Sequence, residues 1–109
     1  MGIGRGLIKL PSVKIFQVTF KIKPADEGFW ERLPGHRAWV ARHLQEEILL
    51  TYAVAGHRER GWAVVRGESA EAVMDLVSES PLDPYLEHEI EELMLYENPA
   101  SHFPKLGLN

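Results

Sequence analysis

The 109-residue chain contains no cysteine. That excludes disulfides, thiolate metal ligands and cysteine nucleophiles together. Surplus positive charge is also missing: 12 Lys+Arg against 16 Asp+Glu leave a formal net charge of −4. Such a balance offers no electrostatic footprint for nucleic acid. No apolar run approaches the roughly 20 residues that span a bilayer, so no membrane partner is expected. Met1 to Pro11 shows no apolar stretch ending in a small-residue cleavage site, and the expected location is cytoplasmic. Gly2-Ile3-Gly4-Arg5-Gly6 is not a phosphate loop, because no strand precedes it and no Gly-Lys-Ser/Thr follows.

What is present is an ordinary globular composition, 45% hydrophobic and 26% charged, in a length suited to a single domain. The expected division is an N-terminal arm over 1–12, a folded domain over 13–97 and a C-terminal tail over 98–109.

Val13 to Ile22 alternates, with Phe16, Val18, Phe20 and Ile22 on one parity, which predicts a strand. Asp26 is a fitting helix N-cap. Beyond it Trp30, Leu33, Val40, Leu44 and Ile48 recur at helical spacing. Pro34-Gly35 predicts an interruption, with the main helix running from Pro34 to about Glu47. Ile48 to Ala55 and Gly61 to Arg66 read as strands joined by a short polar hairpin loop. Ser69 caps a second helix whose apolar positions are Ala72, Val73, Leu76 and Val77. Pro81 and Pro84 end it. Tyr85 to Tyr96 alternates Leu86, His88 and Ile90 with Glu87, Glu89 and Glu91, and a strand is expected there.

The order β-α-β-β-α-β is the ferredoxin-like split βαβ arrangement, an α+β fold. Its four-stranded antiparallel sheet carries two helices on one face. The last three strands offer apolar residues on both parities: Leu49, Ala53 and Ala55 against Leu50, Tyr52 and Val54, Trp62 and Val64 against Ala63 and Val65, and Leu93 and Leu95 against Ile90, Met94 and Tyr96. The second sheet face is therefore expected to meet another subunit. A homodimer or higher homo-oligomer follows.

One segment is distinctive. Ser78 to Tyr85, SESPLDPY, followed by an acid-rich strand and Asn98-Pro99-Ala100-Ser101, resembles the end of muconolactone delta-isomerase. That family has Ser-x-x-Pro-Leu-x-Pro-Tyr before its last strand. Ala41-Arg42-His43-Leu44-Gln45, Val54-Ala55-Gly56 and Gly67-Glu68-Ser69 look like its helix end, second strand and second-helix start. The resemblance implies a dimeric α/β barrel in which two sheets face each other, without metal or cofactor. It implies a proton shift that moves a double bond in an unsaturated lactone during aromatic-compound breakdown. Where the family has a Trp-Arg pair in its second strand, this chain has Tyr52-Ala53, so a possible anion-binding arginine is absent.

Such a shift needs a base, a proton return and a donor to the developing enolate oxygen. The candidates are His36, His43, His57, His88, Glu89 and Tyr52. His88 shares an apolar strand parity, where a neutral histidine serves either as base or as a satisfied core residue. Glu87, Glu89 and Glu91 read as a solvated face, or one of them as a pocket carboxylate with a raised pKa. His36 and His43, seven residues apart with Trp39 between, read as surface or helix-edge residues and not as a metal pair. His57 with Arg58 and Arg60 is a solvated turn or an anion-greeting cluster at a pocket mouth. His102 lies in the tail, without an expected catalytic task.

The expected function is therefore a cofactor-free isomerase of a small acidic lactone. His88 is its base, and Tyr52 or His36 its polar partner. Two alternatives share the fold: a non-catalytic small-ligand binding or assembly module, and a cofactor-independent monooxygenase drawing on Trp30, Trp39 and Trp62.

Overall fold

A computed structural model describes residues 13–99. The arm over 1–12, the tail from residue 100 onward and His102 lie outside the described residues. Strand β1 spans Lys14–Ile22, helix α1 Glu27–Gln45, β2 Leu49–Val54, β3 Arg60–Gly67, α2 Ala70–Val77 and β4 Leu86–Leu93. A single 3₁₀ turn, Asp83–Tyr85, leads into β4.

The strands form one antiparallel sheet in the order β2-β3-β1-β4. This is the ferredoxin-like arrangement expected from the element order. β1 lies between β3 and β4, and its alternation marks one buried face: Phe16, Val18 and Phe20 are buried, while Lys14 and Lys21 are exposed. Trp39 and Val40 from α1 and Val73 and Val77 from α2 join these residues in one core, so both helices cover the same face.

Both expected N-caps form. The Asp26 carboxylate accepts from the Phe29 N–H at 3.1 Å, and the Ser69 hydroxyl from the Ala72 N–H at 3.0 Å. The interruption expected at Pro34 does not occur: α1 is continuous from Glu27 to Gln45 with Pro34 inside it. Proline removes only the donor owed to the Trp30 carbonyl. Pro34 and Trp30 both lie on the solvent side, where water replaces that donor. The helix ends in a Schellman motif, with Ile48 N–H donating to the His43 carbonyl and Glu47 N–H to that of Leu44. Glu47 takes the left-handed conformation there, with φ 61°.

The parity read for β2 is corrected. Leu49 pairs with Val65 but Thr51 pairs with Val64, so Leu50 is an extra residue, a β-bulge. The bulge brings Leu49, Tyr52 and Val54 onto one face, opposite Val65, Ala63 and Gly61. β4 also ends sooner than expected, at Leu93 and not Tyr96. Its partner β1 runs out where Ile15 faces Leu93, and Met94 beyond is 98% exposed.

The sheet face away from the helices is mixed. Trp62, Val64 and Ala53 make an apolar half, whereas Glu87, Glu89 and Glu91 stand exposed along the other edge. The two-sided apolar sheet expected from the sequence is thus confined to β2 and β3.

Candidate active site

α1 carries His36 one turn before the core residues Trp39 and Val40, so its ring points toward the sheet and is only 5% exposed. Tyr52 meets it from the edge strand β2, and Ser80 from the loop after α2. His36 Nε2 lies 2.8 Å from the Tyr52 hydroxyl and Nδ1 lies 2.5 Å from the Ser80 hydroxyl. Ser80 Oγ also accepts the Leu82 N–H at 3.1 Å.

The protons in this chain follow from satisfaction. Ser80 is buried, at 4% exposure. If His36 donated from Nδ1, the Ser80 hydroxyl would accept twice and its own proton would have no acceptor among the described residues. A buried donor without a partner costs about 1–3 kcal/mol. The favourable arrangement has Ser80 donating to Nδ1 and Nε2–H donating to the Tyr52 oxygen. The Tyr52 proton is then free to point away from His36.

Burial also decides the charges. Desolvation holds the His36 pKa below the usual histidine value, with smaller contributions from the charges of His88 and Arg37. Burial pushes the Tyr52 phenol up to about 12, against a weaker opposing effect of Arg37. At neutral pH the imidazole is neutral and the phenol keeps its proton.

His88 enters from β4, on the same sheet face as Phe20, with ring centroids 6.3 Å apart. Burial lowers its pKa as well, partly offset by Asp83. Its ring makes no hydrogen bond among the described residues. His36, Tyr52, Ser80 and His88 line one small cavity of about 20 Å³ with Trp39 and apolar neighbours. That volume suffices for one water, which needs roughly 10–15 Å³.

A larger cleft of about 430 Å³ lies between α1, the Tyr52–Val54 end of β2 and Leu86. It shares Phe20, His36, Tyr52 and Leu86 with the small cavity. Tyr52 stacks on Phe20, with centroids 5.6 Å apart, so its hydroxyl stands where the two spaces meet. Arg37 and Arg58 are the two cations in the cleft wall.

The SESPLDPY segment builds much of this geometry. Its Tyr85 hydroxyl donates to Asp26 at 2.5 Å, tying the segment to the start of α1. The Tyr85 carbonyl accepts the Lys23 N–H at 2.8 Å, and that of Pro81 accepts Arg32 at 3.3 Å. These contacts hold Ser80 under His36.

The structure therefore brings together three of the residues singled out from sequence: His36, Tyr52 and His88. His36 and His43 are corrected from surface positions to core positions, both 5% exposed. His43 has a structural partner, its Nδ1–H donating to the Trp39 carbonyl at 2.7 Å. His57 stays in the hairpin, accepting the Glu59 N–H at 3.0 Å, while its neighbour Arg58 reaches the cleft. Glu89 stands exposed, apart from the site. Sequence reasoning missed Ser80 and Arg37. Ser80 had a signal, its place inside the SESPLDPY run; Arg37 had none beyond adjacency to His36. Among the described residues no three His, Asp or Glu side chains converge as metal ligands, and no helix is long and apolar enough to cross a membrane.

No protein-family model matches the sequence, and no curated protein matches it significantly. Among solved structures, a crystal structure of muconolactone isomerase is similar, with a TM-score of 0.63 and 24% sequence identity. The match covers 84% of this chain and 97% of that one. At this identity the likeness shows a shared fold.

Proposed function

We propose that the chain is a cofactor-free isomerase that shifts a proton, and with it a double bond, in a small acidic unsaturated lactone. The observation that carries the proposal is the Ser80–His36–Tyr52 chain, which leaves a protonated phenol at the junction of the cavity and the cleft. The shared fold with muconolactone isomerase supports the reaction class.

In this mechanism the lactone lies in the cleft with its carbonyl oxygen against the Tyr52 hydroxyl. The neutral His88 ring lines the small cavity beside the cleft and has no hydrogen-bond partner among the described residues. It takes the proton from the carbon conjugated to that carbonyl through the one water the cavity has room for. The electron pair moves through the double bond onto the carbonyl oxygen, and Tyr52 donates a hydrogen bond to the charge that develops. His88 then returns the proton to the other end of the three-carbon unit, and the double bond has moved with no net change in composition. His36 is a positioning residue, because it holds the Tyr52 oxygen and touches no reacting atom. A homodimer or higher homo-oligomer belongs to the proposal, supported by Trp62, 37% exposed on the face away from the helices. Light scattering that gave a monomer mass at micromolar concentration would remove that part.

The test is turnover of muconolactone in D₂O, followed by NMR. The expected result is double-bond migration without oxygen consumption, with His88→Ala slower by about 10²–10⁴-fold and Tyr52→Phe slower by about 10²–10³-fold. Full turnover by His88→Ala would dismiss the base. Saturable binding of lactone acids with no migration by the wild-type chain would replace the isomerase with a binding module.

A further inference from the structure

The cleft is larger and more aromatic than a small lactone requires. Its volume is about 430 Å³. Clefts of this size hold drug-sized ligands. Its outer end is walled by Phe29 and Trp30, stacked edge-to-face at 5.1 Å, with Trp30 57% exposed. An aromatic corner left so open to water is a platform for a flat apolar group.

The charges are as specific. Arg37 and Arg58 line the cleft, and neither makes an ion pair or a side-chain hydrogen bond among the described residues. Two exposed guanidiniums on one largely apolar cleft, unpaired among the described residues, are suited to an anion. Arg37 lines the cleft together with His36 and Tyr52, so a carboxylate held there shares the cleft with the phenol. Arg58 sits at a left-handed position in the β2–β3 hairpin, φ 68°, which aims this side chain from a turn that glycine would fill with less strain.

We propose that the cleft takes a monocarboxylate bearing an extended aromatic or bulky apolar group, its carboxylate between Arg37 and Arg58 and its ring against Phe29 and Trp30. This rests on the cleft being the substrate site of the function proposed above, and it names a substrate class larger than muconolactone.

Binding, not turnover, tests it, so its failure is separate from that of the isomerase. Isothermal titration of the full chain uses 2-naphthylacetate, 2-naphthylacetamide and furan-2-acetate. The expected order has naphthylacetate at least tenfold tighter than either of the others. Arg37→Gln is expected to weaken the acid about tenfold and leave the amide unchanged. Trp30→Ala is expected to weaken both naphthyl compounds. Both side chains are exposed, so the variants should keep the wild-type melting temperature. Equal binding of acid and amide, an unchanged preference in Arg37→Gln, or furan-2-acetate as tight as naphthylacetate would each overturn the proposal. Naphthylacetate binding with this pattern in a chain that never isomerises muconolactone would support it while removing the reaction.

Discussion

His36 Nε2 lies 2.8 Å from the Tyr52 hydroxyl although the two residues belong to different layers, a buried helix face and an edge strand. Ser80, on the far side of the ring, decides what that contact means chemically. With Ser80 donating to Nδ1, the phenol receives a hydrogen bond and has its own to give. Ser80→Ala removes that control and leaves a buried ring nitrogen unpaired. The expected cost is about 1–3 kcal/mol of stability, seen in thermal melts as roughly 4–8 °C per kcal/mol. On the proposed reaction, turnover should fall through kcat, because the Tyr52 proton is then shared with His36. An unchanged melting temperature would mean that the Ser80–His36 bond does not form.

Acid should destabilise the fold earlier than its carboxylates demand. His36 and His88 both have pKa values lowered by burial. Above the unfolded value, 6.5, both states are neutral and stability is unaffected. As pH falls below 6.5 the unfolded chain takes up protons that the folded chain refuses. Stability therefore drops until pH has passed the lowered folded values, by at most about 1.4 kcal/mol per pH unit for each histidine. Thermal melts between pH 7 and 5 should show this slope, and His88→Gln should flatten it. The same shift puts the acid limb of kcat/KM below pH 6.5. Tyr52, at about 12, should add no alkaline limb near neutrality.

Gly61 is required by the site. It lies on β3 opposite Phe20, and a Cβ there would strike the Phe20 ring and come within 2.7 Å of the Ala53 carbonyl. Phe20 in turn stacks on Tyr52. Gly61→Ala should destabilise by about 1–3 kcal/mol or more through overpacking. The displaced Phe20 should also lower turnover in whatever protein remains folded. A soluble variant with wild-type melting and activity would contradict the packing.

Glu47 offers the opposite sign. It occupies the left-handed position of the Schellman motif, where a side chain costs roughly 1–2 kcal/mol relative to glycine. Glu47→Gly should raise stability by about 0.5–1 kcal/mol, since part of the relief is offset by the greater freedom of glycine in the unfolded chain. Chemical denaturation checks it, with an unchanged m-value expected.

The legibility of this molecule tracks the range of the forces involved. Alternation in Val13 to Ile22, the caps at Asp26 and Ser69, and the hairpin between β2 and β3 were readable because each depends on neighbours a few residues away. Those local signals, set in order, are enough to specify the ferredoxin-like topology, since few arrangements satisfy β-α-β-β-α-β with short connections. Pro34 misled because a missing helical donor matters only where water cannot replace it, and exposure is a property of the packed helix.

The site belongs to the second kind of knowledge. Tyr52 and His88 were candidates by residue type, yet Leu50's bulge, set by pairing with β3, put Tyr52 on the helix side. His36 and Ser80 stand 44 residues apart in the chain, and no spacing rule connects them. By itself the sequence determined the elements, their order and the residue types able to move a proton. Only the tertiary structure decided which of them meet, because desolvation and hydrogen-bond satisfaction act between groups that become neighbours when the chain has folded.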